Sequence, residues 1–526
     1  MFCIKHILGR PAVTQRAFWL LMGQERTTKD STGAAALTVF ASTPSRYNTT
    51  FKSNQAVMRT INVKTKYRQM LADVFTPVSI YLRLRDRFPG SILLESTDYR
   101  ASENSYSFIC IKPIAGIEVT STNEFEFKYP NLPVEKKQLK SPQLVLDELQ
   151  RFLGNFSFEG TPPLPVVHSL FGYSTFDSVQ FFEKITFNKD KQNGNTIPLM
   201  RYRFYQYIIV INHFKDELYL CENEVDGIDS EFDLVTSLIH HKDCPNYPFK
   251  VQGEERSNMT DDAYMEMVEK GRQHCFRGDV FQVVLSRSFQ RPFKGDEFNV
   301  YRSLRSINPS PYLFYFDYGD YKLMGSSPEA QLIVKNGKAI IHPIAGTFRR
   351  TGNDEQDKQL ADKLLLDPKE NAEHVMLVDL ARNDLSRHAT QVEVASYRKV
   401  QYYSHVIHLV SEVTGKTDTA MNPFSLLAAT FPAGTLSGAP KYKAMEIIDQ
   451  YEPTSRGFYG GCIGAVGFNG DFNHAIMIRS MLSKDNILYY QAGAGVVAKS
   501  VASSELEEVN NKLNALKQAI LQAQNI

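Results

Sequence analysis

Between Met58 and about residue 250, short apolar or alternating runs are separated by turn residues: SILLES, YSFICI, GIEVTS, FEFKYP, YQYIIVIN and ELYLCE. Side chains of a strand point alternately to opposite faces, so these runs predict β-strands. A helix is predicted over 142–153, where Val145, Leu146, Leu149, Phe152 and Leu153 share one face. Just after Met58, the residues Tyr67, Met70, Leu71 and Val74 recur at helical spacing and predict a helix there as well. The Asn- and Lys-rich stretch 188–196 predicts a mobile surface loop.

A polar, charged stretch at 251–258 predicts a boundary. Thr260 then caps a helix whose Tyr264, Met267, Val268, Gly271 and Cys275 form one stripe and which Gly278 ends. Strands follow (VFQVVLSRSF, YLFYF, LMGSS, AQLIV, AIIHPIAG), with long helices over 354–364, 371–380 and 504–522. Strands and helices do not alternate regularly, so the expected class is α+β with sizeable antiparallel sheets rather than a parallel α/β fold. The expected divisions are a leader at 1–57, a region at 58–250 and a region at 251–526. A chain of 526 residues exceeds one ordinary core, which predicts two subdomains or one large composite fold.

Composition narrows the partners. Lys plus Arg (59) balance Asp plus Glu (58), which removes the electrostatic footprint of a nucleic-acid or membrane-surface binder. No run approaches the ~18 apolar residues of a bilayer span. The cysteines Cys3, Cys110, Cys221, Cys244, Cys275 and Cys462 are scattered without a CxxC pair, which fits a reducing, cytoplasmic setting. Residues 1–57 are rich in Ser, Thr, Arg and Lys and poor in acids, as in an organellar transit peptide. Because Met58 opens the patterned sequence, an over-extended start is the preferred expectation.

Two acidic motifs carry the first chemical signal: KENAEH, with Glu370 and Glu373, and SELEE, with Glu505 and Glu508. The i, i+3 spacing puts each pair on one helix face. Oxygen ligands of this kind suit a hard divalent cation such as Mg2+, although most such pairs are solvated helix faces. An apolar run, HVMLVDLARND, follows Glu373, so its helix is expected to be buried. His374 invites a zinc reading, but the first histidine of that motif is absent. Glycine-rich turns (AGT at 345–347, PAGTLSGAPK, YGGCIG, QAGAG) let backbone N–H groups approach an anion, and none is a P-loop or dinucleotide fingerprint.

The ordered series GDVFQVVLS, GSSPE, HPIAGT, DPKENAEHVMLVDLARND, HVIHLVSEVTG, FPAGTLSGAPK, RGFYGGCIG, IMIRSM, QAGAGVV and ELEEVNNK closely resembles the chorismate-binding enzymes, from Thr260 to the C-terminus. SILLES and NSYSFI extend the resemblance to the amino-terminal region of anthranilate synthase large subunits. It implies antiparallel sheets in a sandwich flanked by helices. It also implies Mg2+ held by Glu373 and Glu508 with Glu370 and Glu505 beside them, Glu329 as general acid, His408 assisting pyruvate elimination, and Thr435 bonding the substrate. Gly346, Thr347, Tyr459, Arg479, Gly493, Gly495 and Lys512 would hold chorismate.

Three positions bear on which member the chain resembles. Gln282 stands where isochorismate and salicylate synthases carry a water-activating lysine, and Ala345 where many aminodeoxychorismate synthases carry a nucleophilic lysine. The LLES and NPSPYLF elements resemble a tryptophan pocket, implying contacts from Glu95, Ser96, Tyr106, Ser107, Pro311, Tyr312 and Leu313 and feedback inhibition by tryptophan. The resemblance therefore implies conversion of chorismate and ammonia to anthranilate and pyruvate. A separate glutamine amidotransferase subunit is implied as the ammonia source, since the chain lacks that segment. The alternatives are an aminodeoxychorismate synthase component and a non-catalytic regulator that binds chorismate or tryptophan. Trp19 is the only tryptophan in the chain, so the part from Met58 onward contains none.

Overall fold

Alternating strands in the sequence become a continuous, mostly antiparallel ladder in the computed structural model, which describes residues 60–96, 105–191, 194–402, 406–418 and 421–526. The predicted leader at 1–57 lies outside the described residues. From the strand Gln282–Gly295 the ladder runs through Ile487–Val496, Ser480–Lys484, Tyr321–Ser327, Tyr312–Asp317, Ile92–Glu95, Tyr106–Val119 and Met200–Asn212. It continues through Ser169–Ser174, Cys462–Gly467, Phe472–Ile476, Ala330–Lys335, Lys338–Ile341 and Val406–Lys416. Strands from before residue 250 thus sit in the middle of a ladder whose two wings come from beyond it. The charged 251–258 stretch lies between and within two short strands, Phe249–Val251 and Arg256–Ser257, that edge Gln282–Gly295.

Alternation explains the layering. Leu313, Tyr315, Ile209, Ile211, Met481 and Tyr490 join a core shared with helical residues such as Ile80, Tyr301, Leu513 and Leu516. Their strand neighbours Phe314, Phe316, Ile208, Val210, Leu482 and Tyr489 join a second core made mostly of strand residues. Successive residues therefore bury on opposite faces, with the folded ladder closing on itself inside and helices covering it outside. The helix Asp261–Arg277 has the predicted limits: the Thr260 side chain accepts from the Ala263 N–H, and Gly278 ends it at φ 80°. The predicted 371–380 helix extends over Pro368–Ser386, and the last helix covers Ala502–Gln522.

Three expectations change. The segment after Met58 is a strand, Ile61–Leu71, paired antiparallel with Glu217–Val225 and parallel with Phe156–Glu159. Of its apparent helical stripe, Tyr67, Leu71 and Val74 are exposed (47 %, 64 % and 75 %) and only Met70 packs partly against the core, so the spacing reflected no buried helix face. YSFICI and GIEVTS are one strand, Tyr106–Val119, whose register shifts at Pro113, a residue with no N–H to give the ladder. The 188–196 stretch is anchored where described, with Asn195 buried and the Lys191 carbonyl accepting from the Ser455 N–H at 3.0 Å.

Candidate active site

Glu329 begins the turn into the strand Ala330–Lys335, and its carbonyl accepts from the Ile476 N–H at 3.0 Å. Thr435, in the short helix Gly434–Ser437, donates its hydroxyl to Glu329 Oε1 at 3.1 Å. Burial pushes the Glu329 carboxyl up to about 7, against the opposing pull of that hydroxyl and of the Arg479 and Lys512 charges. A carboxyl titrating near neutrality can hold a proton and give it to a leaving group. Arg479 adopts a left-handed backbone at φ 49°, a strained choice for a residue with a Cβ. Burial lowers its guanidinium pKa, and Glu329 opposes this. Among the described residues, the Arg479 side chain makes no hydrogen bond or ion pair. A desolvated, unpaired guanidinium is a receptor for an anion.

Tyr459 lies beside the strand Ile487–Val496 and hydrogen-bonds the Gly493 backbone, and burial raises its phenol above the ordinary range. Lys512 donates to the Gly493 carbonyl at 2.9 Å and pairs with Glu508, one turn earlier on its helix, at 2.7 Å. Gly495 faces Val284 across the ladder. A Cβ on Gly495 would stand 2.3 Å from Gln282 Nε2, so only glycine leaves room for that amide. Nε2 donates to Glu373 Oε1 at 3.2 Å, while Gln282 Oε1 is buried without a partner.

His408 and Thr347 are paired across neighbouring strands. The His408 Nδ1 stands 3.0 Å from the Gly346 carbonyl, which can only accept, so Nδ1 carries the proton. Burial, reinforced by the Arg479 charge, lowers the His408 pKa despite that bond and keeps the ring neutral at pH 7. Gly346 has φ 73°, and a Cβ there would press on Leu364 at 2.8 Å and on Glu370 Oε2 at 3.1 Å. Glu505 is buried, and the Tyr264 phenol feels both Glu505 and Glu508.

The four acids Glu370, Glu373, Glu505 and Glu508 fit a hard cation by chemistry, since they offer oxygen donors from two helices, one touching Gln282 through Glu373 and the other the Gly493 carbonyl through Lys512. Among the described residues, no group of three or more Asp, Glu, His or Cys side chains closes on one point. Glu373 is instead held by Gln282 and Glu508 by Lys512, as expected of acids that would otherwise repel. Zinc fits poorly: the His374 ring is fully buried against Ser411 Oγ at 2.6 Å.

The other predicted set gathers elsewhere on the ladder. Glu95, Ser107 and Leu313 occupy paired positions on adjacent strands. Glu95 is buried, which raises its pKa, and it is opposed by Arg305 and by the Tyr301 hydroxyl, whose bonds to the carboxylate span 2.6–3.0 Å. Ser107 Oγ meets His213 Nε2 at 2.7 Å. Ser96, Tyr106, Pro311 and Tyr312 are partly exposed around them. Tyr312 pairs with Ser327, two residues before Glu329, so one strand pair joins the two sites. Sequence reasoning missed Tyr301, Arg305 and His213 here. It also missed Glu452 and Arg456 beneath the first site, whose only sequence signal was an i, i+4 charge pair.

Residues 91–518 match the chorismate binding enzyme family. Anthranilate synthase component 1 of Aquifex aeolicus (strain VF5) is 37 % identical over 488 residues, covering 87 % of this chain and 95 % of the relative. That of Bacillus caldotenax is 36 % identical over 488 residues, covering 87 % and 94 %. The crystal structure of anthranilate synthase component I from Streptococcus pneumoniae TIGR4 superposes with a TM-score of 0.66 at 30 % identity, covering 85 % of this chain and 99 % of that one. The menaquinone-specific isochorismate synthase MenF from Escherichia coli shares the fold at a TM-score of 0.67 and 18 % identity, covering 89 % and 96 %. With family match, relatives and fold in agreement, the chain belongs to the chorismate-binding enzymes, alongside the anthranilate synthase component 1 proteins.

Proposed function

We propose that this protein is the chorismate-using subunit of an anthranilate synthase, the step that commits chorismate to tryptophan. The observation that carries the reading is the Glu329 carboxyl, titrating near 7 between the Thr435 hydroxyl and an unpaired Arg479. Such a site suits an acidic substrate with a poor leaving group. Arg479, Tyr459, Lys512 and the Gly493 and Gly495 backbone hold the two chorismate carboxylates. Glu329 protonates the C4 hydroxyl, which leaves as water while ammonia adds at C2, giving 2-amino-2-deoxyisochorismate. Neutral His408, oriented by the Gly346 carbonyl, assists the loss of pyruvate that forms the aromatic ring. Gln282, a neutral amide, cannot act as the general base that water addition needs. Ala345 cannot act as a nucleophile.

Mg2+ held by Glu373 and Glu508, with Glu370 and Glu505 beside them, would neutralise a substrate carboxylate and polarise the leaving hydroxyl. Ammonia comes from a glutamine amidotransferase subunit, and tryptophan binding at Glu95, Ser96, Ser107 and Leu313 inhibits turnover. None of the helices among the described residues is long and apolar enough to cross a membrane. The scattered cysteines without a CxxC pair support a reducing, cytoplasmic site of action.

Purified protein incubated with chorismate, magnesium and ammonium should develop anthranilate fluorescence directly. Fluorescence that appears only after a lyase is added would replace this reading with aminodeoxychorismate synthesis.

A further inference from the structure

Beneath the site lies an ion pair cut off from water: the side chains of Arg456 and Glu452 are 1 % and 4 % exposed. Removing two charges from water costs several kcal/mol per ion, and a hydrophobic pair of equal volume is often as stable. Stability alone is therefore a weak reason for its presence. What the pair does is bind backbone. Arg456 donates from Nε to Glu452 Oε2 at 2.9 Å and from Nη2 to Oε1 at 2.6 Å. Nη1 donates to the Leu436 carbonyl at 2.6 Å and Nη2 also to the Val284 carbonyl at 2.7 Å. Glu452 Oε1 accepts from the N–H and hydroxyl of Ser286 at 2.9 and 2.7 Å. Finally, the Arg456 carbonyl accepts from the Tyr459 N–H at 3.2 Å.

Each of those backbone points adjoins a residue of the site. Leu436 follows Thr435, the partner of Glu329. Val284 and Ser286 are the ladder partners of Gly495 and Gly493. Tyr459 stands one short turn beyond Arg456. Of the three carriers, the Gln282–Gly295 strand is distant in the chain from the Gly434–Ser437 helix and the Tyr459 turn.

We infer that the buried Arg456–Glu452 pair is a positioning device that sets Thr435, the Gly493 and Gly495 backbone and Tyr459 at fixed distances from one another. The fork of the guanidinium is what the task requires. It reaches acceptors in several directions at once, whereas a lysine ammonium is a single point with three donors.

The inference deepens the proposed site and rests on that reading for its kinetic arm, so its test has a second arm that needs no turnover. Arg456→Lys is compared with Arg201→Lys, which weakens a largely buried pair with Glu118 that bonds none of the site residues. Well below both melting temperatures, Arg456→Lys is expected to raise the chorismate KM about tenfold, a change of about 1.4 kcal/mol. It should also move the alkaline limb of the pH profile upward by about 0.5–1 unit, because a displaced Thr435 no longer stabilises ionised Glu329. The same displacement should be visible in the infrared titration of the Glu329 carboxyl, assigned with Glu329→Gln. Glu452→Gln provides the same readings if Arg456→Lys does not fold. Should the wild type form no anthranilate, the activity reading fails while the carboxyl titration still tests the pair. Variants that lose only thermal stability, with KM, pH limb and carboxyl titration as in Arg201→Lys, would overturn the inference.

Discussion

Glu329→Gln separates the two consequences of burying an acid. Holding the carboxyl at about 7 rather than its ordinary 4.5 means the native state binds its proton more tightly than the unfolded chain does. Stability is therefore full below 4.5, declines as pH rises to 7, and stays reduced above. The full displacement corresponds to about 3 kcal/mol, an upper bound because the side chain keeps some surface open to solvent. Glutamine has nearly the same shape, carries no charge, and its Oε1 still accepts from Thr435. At pH 8.5 with chelator present, Glu329→Gln should be more stable than the wild type by about 1–3 kcal/mol, and at pH 4 the two should coincide. Turnover should fall by about 10²–10⁴. Urea unfolding at the two pH values, with anthranilate fluorescence for activity, reads both effects. Equal stability at pH 8.5, or a less stable variant, would refute the assignment of Glu329 as a carboxyl strained by burial.

Three further outcomes follow from the same geometry. Thr435→Val removes the 3.1 Å bond to Glu329 and should raise the alkaline limb of the pH profile by about 1 unit; an unmoved limb would detach Thr435 from the acid. Glu373→Gln should abolish magnesium-dependent turnover while calorimetry still detects tryptophan binding, whereas wild-type turnover would remove Glu373 from the metal site. Ser96→Phe places a ring beside the buried Glu95 and should relieve tryptophan inhibition at least about tenfold; unchanged inhibition would relocate that pocket.

Much of this protein is written locally. The alternation in YQYIIVIN sends Ile208 and Val210 to one core and Ile209 and Ile211 to the other, and Thr260 and Gly278 bound their helix because cap chemistry is a property of a few adjacent residues. The motif residues Glu329, Thr435, Arg479, Tyr459 and Lys512 were legible only through the resemblance of their motifs to the chorismate-binding enzymes, not from residue type or spacing. Local pattern has limits, which the segment after Met58 exposes. Apolar spacing there suggested a helix, but its backbone partners are Glu217–Val225 and Phe156–Glu159, and strand pairing across such separations leaves little trace in a short window.

The tertiary structure alone decided the chemistry of each side chain. The i, i+3 spacing identified Glu373 but not the Gln282 amide 3.2 Å away. A GSSPE motif contains an acid, but only the protein packed around Glu329 moves its titration toward neutrality. Glu452 and Arg456 carry only an i, i+4 charge spacing in the sequence, and burial together with backbone bonds to three segments gives them their meaning. The physical reason is that sequence specifies which groups exist and which face they tend toward, whereas desolvation and hydrogen-bond partners depend on residues that meet only after the chain has folded.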